Sequence, residues 1–286
     1  MEKSTVQHKR IFKSVLTLAV SIGLISIVSG CSSSNSAKAE PTASVPEIMP
    51  GYLIGYVPQK ELPNSLLLLP PPPAEGSPAF ALDETVAREM VQRLGTPRWN
   101  LATADAQLGF PYAAGTFSCA IKAPISEALT PRLYTLLRRT LTDAGLSTYA
   151  AKEHYQRTRP FVINGAPICT PEEAEALKKD GSYPSGHTAI GWAWALVLSE
   201  VSPENADAII ARGLAFGESR NVCNVHWHSD IVQGRTMAAA TVAKMHSVDA
   251  FRADVEAAKA ELKAVRAQNL APSRDCADEA AGLSNK

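Results

Sequence analysis

The sequence Tyr183-Pro184-Ser185-Gly186-His187-Thr188 leads directly into an apolar stretch that runs from Ala189 to Leu198. A short turn that contains glycine and precedes an apolar run is typical of the start of a buried helix. The first backbone N–H groups of such a helix have no partner within it, and together with the positive end of the helix dipole they bind anions. The segment therefore predicts an anion site or, equally well, no more than a capped helix start.

Signals for further helices surround this segment. Three positions combine a side chain that can cap a helix with a proline in the first turn: Thr130-Pro131, Thr170-Pro171 and Ser202-Pro203. Asp83 precedes apolar residues at helical spacing, so we expect it to be an N-cap, and we expect Ser147 to cap the helix that follows Gly145. Because alternating runs of β-branched residues are scarce, the sequence predicts a single all-α domain rather than an α/β one.

A proline-rich stretch from Pro41 to Pro78 precedes the helical region. This composition favours extended and polyproline conformations. The leucines from Leu66 to Leu69 stand before a run of prolines from Pro70 to Pro73. We expect these leucines to cover a groove on the domain rather than to form an element of their own.

The first thirty residues have the pattern of an export signal. Four basic residues precede an apolar run of 14 residues, Val15 to Val28, which is too short to cross a bilayer at roughly 20 residues per helical span. The run ends at Gly30-Cys31 and a serine-rich segment follows, which resembles a bacterial lipoprotein cleavage site with Cys31 as the acylated residue. The alternative is an ordinary secretory signal cut near Gly30, with Cys31 incidental. Ser32 after the cysteine resembles the outer-membrane form of the signal in a Gram-negative cell.

These patterns predict four segments: a lipoprotein-type signal peptide over 1–30, a flexible tether over 31–50, a helical domain over 51–278 and a tail over 279–286. The 28 basic and 28 acidic residues cancel, and no block of lysine and arginine stands out after the signal, so we expect no nucleic-acid partner. We expect the protein in the periplasm, in contact with the outer membrane only through a lipid on Cys31. The oligomeric state is left open, with a homodimer as one option.

Four cysteines remain when the candidate lipidation site is set aside: Cys119, Cys169, Cys223 and Cys276. In an exported chain, cysteines form disulfides by default, and four of them allow three pairings between which spacing cannot choose. A zinc site is the rival explanation, but no Cys-x-x-Cys pair occurs in the sequence.

Cations and histidines are concentrated in one part of the chain. Lys152 and Arg159 are seven apart, so on one helix they would project from nearly the same face, and Pro160 would end that helix. Two cations on a helix usually mark only a solvated face. His226 and Asp230 are four apart, so on a helix the carboxylate could accept from one imidazole nitrogen and leave the other free to attack or to bind a metal.

The chain resembles the type 2 phosphatidic acid phosphatase superfamily in three ordered motifs: Lys152-x6-Arg159-Pro160, Pro184-Ser185-Gly186-His187 and Ser219-Arg220-x5-His226-x3-Asp230. Among its members, the class A bacterial nonspecific acid phosphatases are the most similar. The resemblance to them also includes three further segments: Leu69–Pro73, Arg157–Phe161 and Gly181–Ala189. It covers roughly Leu66 to Phe251. Members of this family are commonly free in the periplasm, whereas Cys31 suggests a lipid anchor.

This resemblance implies an acid phosphatase that works without a metal or any other cofactor. It assigns His226 as the nucleophile, oriented by Asp230, and His187 as the general acid and base. It assigns phosphate binding to five groups: Lys152, Arg159, Ser185, the backbone N–H of Gly186, and Arg220. Three cations suit a transition state that spreads negative charge over its phosphoryl oxygens. The resemblance also supports a Cys169–Cys223 disulfide, which leaves Cys119 to pair with Cys276.

The expected substrates are small phosphate monoesters, such as nucleotides, sugar phosphates and aryl phosphates. Three alternatives stay open: a vanadate-dependent haloperoxidase with the same site, a metal-dependent phosphohydrolase that uses His226, His228 and Asp230, and a non-catalytic outer-membrane lipoprotein. The metal-dependent enzyme is disfavoured because alternate residues of a helix diverge by about 200°. His154 lies off the signature, and we expect it to have a surface or packing role.

Overall fold

Helices account for nearly all regular structure in residues 45–284, the part of the chain that the computed structural model describes. They are α1 (Ser65–Leu68), α2 (Pro78–Val91), α3 (Pro97–Asp105), α4 (Ser118–Ile121), α5 (Pro131–Leu146), α6 (Tyr149–Tyr155), α7 (Pro160–Asn164), α8 (Ala174–Leu177), α9 (Gly186–Val201), α10 (Ala206–Val222), α11 (His228–Met245), α12 (Asp249–Arg266) and α13 (Cys276–Ser284). Short 3₁₀ turns lie at Gln59–Glu61, Tyr112–Phe117, Pro171–Glu173 and Pro203–Asn205. An antiparallel hairpin joins β1 (Glu47–Met49) and β2 (Tyr52–Leu53). The all-α prediction is confirmed.

Helix α9 lies at the centre of the domain and packs against α5, α10 and α11. Its sequence is apolar on nearly every side, and a helix of that kind is buried. Trp194 is fully buried, and its Nε1 donates a hydrogen bond to the Leu137 carbonyl of α5 at 2.9 Å. A Cβ atom at Gly191 would lie 2.0 Å from the ring of Phe216, so glycine lets α10 approach closely. Close packing of this helix in the core therefore fixes the position of its N-terminus.

A second close contact joins the starts of α9 and α11. A Cβ atom at Gly234 would lie 2.6 Å from the Ser185 carbonyl oxygen, so only glycine allows this approach. Ser185 N in turn donates to the Asp230 carbonyl at 3.0 Å. The turn before α9 and the first turn of α11 are therefore held together, although 45 positions separate these two residues in the sequence.

The C-terminal helix belongs to the folded domain. The disulfide Cys119–Cys276 ties α13 to α4, with a Cα–Cα distance of 5.6 Å. Glu279 of α13 is buried and accepts from Arg212 Nε at 3.0 Å. Arg212 also forms an ion pair with Asp105 of α3. The prediction of a tail over 279–286 therefore differs from the structure, because α13 continues to Ser284 and packs against α3.

The N-terminal boundary also differs from the prediction. Strand β1 falls within the predicted tether, and Glu47 Oε1 accepts from Arg138 Nη2 of α5 at 2.9 Å. The predicted signal peptide over 1–30, the predicted lipidation site Cys31 and the tether up to residue 44 lie outside the described residues. Between residues 45 and 284, no helix combines the length and the apolar character that crossing a membrane requires.

Two predicted helix starts are wrong. Helix α2 begins at Pro78, and its N-cap is Ser77, whose Oγ accepts from Phe80 N at 3.2 Å. Asp83 lies inside α2, where its buried carboxylate binds groups from other elements. Ser147 does not cap α6, because its Oγ donates back to the Ala144 carbonyl at 2.8 Å.

Three prolines begin helical segments as predicted, but with different lengths. Pro131 begins α5, whereas Pro171 and Pro203 begin 3₁₀ turns that lead into α8 and α10. The expectation that the leucines form no element of their own is wrong, because Leu66 to Leu68 belong to a short helix, α1. Asn64 caps that helix, because its Oδ1 accepts from Leu66 N at 2.9 Å.

A buried carboxylate fixes the segment that follows the hairpin. Asp143 of α5 accepts a hydrogen bond from Tyr56 N at 2.7 Å and longer ones from Val57 N at 3.4 Å. A Cβ atom at Gly55 would lie 1.8 Å from Asp143 Oδ1, so the chain can pass there only as glycine. Burial raises the pKa of Asp143 to about 6, although the two backbone donors act against this rise.

This raised pKa makes stability depend on pH. The carboxyl of Asp143 binds a proton more tightly in the folded state than in the unfolded state. Its contribution to the free energy of unfolding is therefore fully present below the ordinary pKa of 3.8 and is lost as pH rises through about 6. The loss is about 3 kcal/mol, at roughly 1.4 kcal/mol per pKa unit. We expect Asp143→Asn to abolish this part of the decline between about pH 4 and pH 6, measured as the free energy of urea unfolding. Parallel stability curves for the two proteins would contradict the assignment.

Candidate active site

The predicted site residues surround one cavity of about 460 Å³. Six of the eight line it directly: Lys152, Arg159, Gly186, His187, Arg220 and His226. The other two, Ser185 and Asp230, are fully buried, and Ser185 N and the Asp230 carbonyl are joined by the hydrogen bond between α9 and α11. The six site residues that line the cavity thus come from five separate parts of the chain.

Lys152 and Arg159 do not share one helix, so the predicted arrangement of these two cations is wrong. Helix α6 ends at Tyr155, and Gln156 takes the left-handed conformation with φ of 41°. Arg159 is the extended N-cap of α7, which Pro160 begins rather than ends. The residue before a proline is disfavoured in the helical conformation, so the chain must break before Arg159.

The two cations nevertheless converge on the loop before the motif. Lys152 Nζ donates to the Gly181 carbonyl at 2.5 Å and lies 3.3 Å from Asp180 Oδ2. Arg159 Nη2 donates to the same Asp180 oxygen at 3.0 Å. Burial, aided by the charge of Arg159, lowers the pKa of Lys152 to about 8, and Asp180 partly opposes this shift. Lys152 therefore stays charged at acid and neutral pH.

Arg220 differs from these two cations because two of its guanidinium nitrogens lack a partner in the described part of the chain. Its side chain is only 1% exposed, and its Nε and Nη1 have no hydrogen-bond partner among residues 45–284. Burial and the charge of Arg159 lower the pKa of Arg220 to about 10, against weaker opposite effects of Glu173 and Asp105. A buried group of this kind is costly, and most native donors are satisfied. The cavity wall therefore offers free donors and a positive charge to an anionic ligand.

His226 and Asp230 are adjacent, although they do not lie on one helix. His226 precedes α11, whereas Asp230 lies in its first turn and accepts from Trp227 N at 2.8 Å. Arg159 Nη1 lies 3.1 Å from His226 Nε2, and since arginine only donates, this nitrogen is the unprotonated one. The proton is then on Nδ1, which faces Asp230 Oδ2 at 3.3 Å.

The surroundings of His226 keep its ring neutral. Burial lowers the pKa of His226 well below its usual value, and the charges of Arg159, Lys152 and Arg220 lower it further. A lowered pKa leaves the Nε2 electron pair of His226 unprotonated at a lower pH than in an ordinary histidine, and Arg159 Nη1 donates to that pair. An unprotonated ring nitrogen on a cavity wall is able to bind a proton or to attack an electrophile.

His187 lies at the start of α9 and turns one nitrogen away from the cavity. Its Nε2 donates to the Ala106 carbonyl, just after α3, at 2.9 Å, which leaves Nδ1 as the unprotonated nitrogen. Burial and then the charge of Arg220 lower the pKa of His187 well below its usual value. These surroundings therefore favour the neutral form of His187.

The start of α9 is capped as the sequence predicted. Ser185 Oγ accepts from Thr188 N at 3.2 Å and from Thr188 Oγ1 at 3.0 Å. Gly186 is the first helical residue and lines the cavity. Because backbone N–H groups at a helix start lack partners within the helix, this end of α9 adds donors to those of Arg220.

Comparison with known proteins identifies the family. The family model "PAP2 superfamily" matches residues 133–253, which include all three motifs. A non-specific acid phosphatase of Providencia stuartii is 43% identical over 208 residues, covering 72% of this chain and 84% of that protein. The chain belongs to the non-specific acid phosphatases of the PAP2 superfamily. An acid phosphatase of Zymomonas mobilis is 42% identical over 209 residues, and a non-specific acid phosphatase of Salmonella typhimurium is 40% identical over 204 residues. These alignments cover 73% and 71% of this chain, and 79% and 82% of the respective relatives.

A set of buried polar contacts behind this PAP2 site was not predicted from the sequence. Arg157 Nη1 donates to Asp230 Oδ1 at 2.6 Å, and its Nη2 donates to Asp83 Oδ2 at 2.7 Å. Asp83 also accepts from Ser229 N and Ser229 Oγ, both at 2.7 Å. Asp230 is therefore fixed from both sides, by the start of α11 and by Arg157. The only signal was the position of Arg157 two residues before Arg159, which does not say what it contacts.

His228 and His154 lie apart from the PAP2 motifs in space. His228 lines a different cavity, together with Met90 and Arg235, so His226, His228 and Asp230 do not surround a common point. Among residues 45–284, no three histidine, cysteine or acidic side chains are grouped to hold a metal ion. His154 is exposed and packs against the ring of Tyr155, with 4.7 Å between the ring centroids.

The Cys169–Cys223 disulfide links the chain after the first PAP2 motif to the third motif, in which Cys223 lies. It joins the segment after α7 to the end of α10, with a Cα–Cα distance of 4.8 Å. Cys223 is three residues after Arg220 and three before His226. Cys169–Cys223 is the pair that the family resemblance supports, and Cys119–Cys276 is the pair that was then left over. The Cys169–Cys223 bond holds the loop that carries the candidate nucleophile against the loop that precedes α8.

Proposed function

We propose that the protein hydrolyses a broad range of phosphate monoesters in acid solution through a phosphohistidine at His226, without a metal ion. The observation that carries the proposal is the buried guanidinium of Arg220, whose Nε and Nη1 have no hydrogen-bond partner within residues 45–284. It lies on the wall of the cavity that His226 also lines. A tetrahedral dianion would satisfy these donors, and cations with fixed positions supply most of the catalysis in phosphoryl transfer.

Binding begins with an exchange of anions. Asp180 forms ion pairs with Lys152 and Arg159. Its side chain is 45% exposed, so it can turn toward solvent when a phosphate group enters. The phosphoryl oxygens then accept from Lys152, Arg159 and Arg220, and from the backbone at the start of α9.

In the first half-reaction, His226 Nε2 attacks phosphorus in line with the ester oxygen. An N–P bond forms as the P–O bond to the alcohol breaks, and the bonding electron pair leaves with the alkoxide oxygen. Asp230 accepts from Nδ1, so it stabilises the positive charge that the ring gains. In the second half-reaction, water attacks phosphorus, the N–P bond breaks, and its electron pair returns to Nε2.

His187 supplies and recovers one proton in this cycle. Burial and the charge of Arg220 lower the pKa of His187. A bound phosphate brings negative charge beside Arg220, which cancels this effect and raises the pKa of His187 toward an acid that can donate. His187 then protonates the departing alkoxide and later takes a proton from the attacking water.

Metal independence can be tested directly. The test measures hydrolysis of p-nitrophenyl phosphate in the acid range before and after dialysis against EDTA, and we expect equal rates because the cations are side chains. Inorganic phosphate and vanadate should both compete with the substrate, since each offers oxygens to the same donors. A rate that EDTA abolishes and zinc or magnesium restores would contradict the proposal. A wild-type protein that hydrolyses no phosphate ester would instead support a non-catalytic lipoprotein.

Replacing His187 tests its role as the acid. An alkyl alkoxide is strongly basic and needs a proton as it leaves, whereas p-nitrophenolate leaves well unassisted. We therefore expect His187→Ala to slow phosphorylation by a sugar phosphate about 10²- to 10⁴-fold, and phosphorylation by p-nitrophenyl phosphate far less. Single-turnover kinetics separate this step from slow dephosphorylation. Equal losses for both substrates would mean that His187 only binds phosphate.

We also propose that the protein is exported and carries a lipid on Cys31. Support comes from the pattern of the first thirty-one residues and from two disulfides, which persist in oxidising compartments. Fractionation of cells that express Cys31→Ser tests this: we expect loss of the membrane-bound form, while the soluble domain keeps its turnover. Unchanged fractionation, with an unlipidated wild-type N-terminus, would leave only a secretory signal.

A further inference from the structure

The cavity extends beyond the cations toward the N-terminal hairpin. Its outer wall carries two tyrosines, Tyr52 of β2 and Tyr149 at the start of α6. The remaining outer positions are mostly apolar: Ile48, Met49, Leu108 and Leu146. Tyr52 is 36% exposed and Tyr149 is 46% exposed. Two half-exposed aromatic rings therefore stand at the mouth of a pocket whose inner end is strongly cationic.

The two tyrosines are near neighbours. Burial raises the pKa of Tyr149, the charges of Asp180 and Glu153 raise it further, and the phenol of Tyr52 adds to the rise. Asp180 also contacts Lys152 and Arg159, so Tyr149 lies beside the entrance to the phosphate donors. An ester whose phosphoryl group sits on those donors would carry its alcohol portion past these rings.

The hairpin that carries Tyr52 is firmly attached to α5. Thr142 Oγ1 donates to the Leu53 carbonyl at 2.7 Å, and Arg138 Nη2 donates to the Gly51 carbonyl at 3.0 Å. Asp143 binds the backbone just after the hairpin. Tyr52 is therefore held at the cavity mouth by bonds on both sides of it, and little further ordering is needed when a ligand binds.

We propose that Tyr52 and Tyr149 form a subsite for an aromatic ring in the alcohol portion of the substrate. This inference rests on the proposed phosphatase function and names a substrate class for it. An aromatic ring fits because stacking against a tyrosine face buries flat apolar surface, which a hydroxylated alkyl chain does not offer. The ring can come from a nucleoside or from an aryl alcohol, since both present a π face of similar width.

The test compares three esters that share one phosphate group: a nucleoside 5′-monophosphate, phenyl phosphate and glycerol phosphate. We expect Tyr149→Ala to raise KM for the first two about 5- to 20-fold, as the loss of one stacked ring predicts. The KM for glycerol phosphate and the inhibition constant of inorganic phosphate should change less than about twofold, because neither ligand reaches the rings. Tyr52→Ala should show the same pattern. A rise for the nucleotide alone, or for phenyl phosphate alone, would identify which source of the ring the subsite prefers and would still support it.

Two variants control for other causes. Tyr149→Phe keeps the ring and should restore the wild-type KM, which a role of the hydroxyl would not allow. Tyr112→Ala removes another half-exposed tyrosine, which packs on Arg274 outside this cavity. This variant should leave the KM values of all three esters unchanged. The subsite would be overturned if Tyr52→Ala and Tyr149→Ala changed the KM of all three esters equally, or changed none of them.

Equilibrium binding separates this inference from the proposed function. Calorimetry on His226→Ala, with and without Tyr149→Ala, measures the affinity for the nucleoside monophosphate and for inorganic phosphate without any turnover. We expect the second change to weaken the nucleotide about 5- to 20-fold and phosphate less than about twofold. A wild-type protein without phosphatase activity would refute the function, whereas equal weakening of both ligands would refute the subsite.

Discussion

His226→Ala is expected to lower the turnover of every phosphate monoester by about 10⁵-fold or more, because removal of a nucleophile leaves only binding and electrostatic effects. No N–P bond can form without Nε2, so the loss should not depend on the leaving group. The affinity for inorganic phosphate should remain, since the donors of Lys152, Arg159 and Arg220 come from other parts of the chain.

The measurement is single-turnover labelling with a phosphate ester that carries radioactive phosphorus, followed by an alkaline quench that preserves phosphohistidine. The wild-type protein should trap label on a peptide that contains His226, and His226→Ala should trap none. His154→Ala is the matched control, because this histidine is exposed and packs only on the ring of Tyr155 among the described aromatic side chains. Label found on residue 187 instead would reverse the roles of the two histidines.

Arg220→Met should inactivate the enzyme and stabilise it at the same time. The guanidinium is buried, and its Nε and Nη1 have no partner in the part of the chain that the structure describes. Burial lowers its pKa to about 10, so the folded protein disfavours the charge. Replacing it by an apolar side chain of similar length should raise the free energy of unfolding of the empty protein by about 2 kcal/mol. Turnover should fall about 10³-fold or more, as for other arginines that bind a transferred phosphoryl group.

Arg212→Met provides the matched contrast. Arg212 is equally buried, but its guanidinium pairs with Asp105 and Glu279. Burial alone would lower the pKa of Arg212, yet these carboxylates reverse the shift and raise it. Its removal takes the cation away from two buried carboxylates, although Ser219 Oγ still donates to Asp105 at 2.7 Å. We therefore expect a loss of about 3 to 5 kcal/mol in the free energy of unfolding.

Denaturant unfolding with and without inorganic phosphate completes the test of Arg220. Phosphate should stabilise the wild-type protein by binding to the folded state, and it should stabilise Arg220→Met much less. If Arg220→Met were destabilised as strongly as Arg212→Met, the guanidinium would be a structural ion-pair partner rather than a free phosphate donor.

Local sequence determined the all-α class of this protein, the start of α9 and the choice of candidate site residues. The apolar run after Ser185 is long and uninterrupted, so it could only be a buried helix, and the cap residue fixed where α9 begins. The order of the three motifs singled out the candidate cations and histidines, because each motif lies within a short stretch of chain. The family resemblance supported the Cys169–Cys223 pair, and Cys119 and Cys276 were then left to pair.

Tertiary structure alone decided how those residues meet. Lys152 and Arg159 were expected on one helix, but Pro160 begins a new helix, and only the loop at Asp180 brings the two side chains together. The residue Asp83 looked like a helix cap, yet it binds Arg157, which lies 74 positions away. A carboxylate has the same local appearance whether it caps a helix, holds a distant arginine or occupies a phosphate site.

The same limit applies to the most informative group of the site. The sequence shows that residue 220 is an arginine near a histidine. Whether its guanidinium has a partner can be known only when the positions of all neighbouring residues are known. Burial, which sets the pKa of His226 and Arg220, also depends on the packing of α9, α10 and α11 as a whole. Side-chain identity is local and can be read along the chain, whereas desolvation and pairing depend on contacts between residues far apart in sequence.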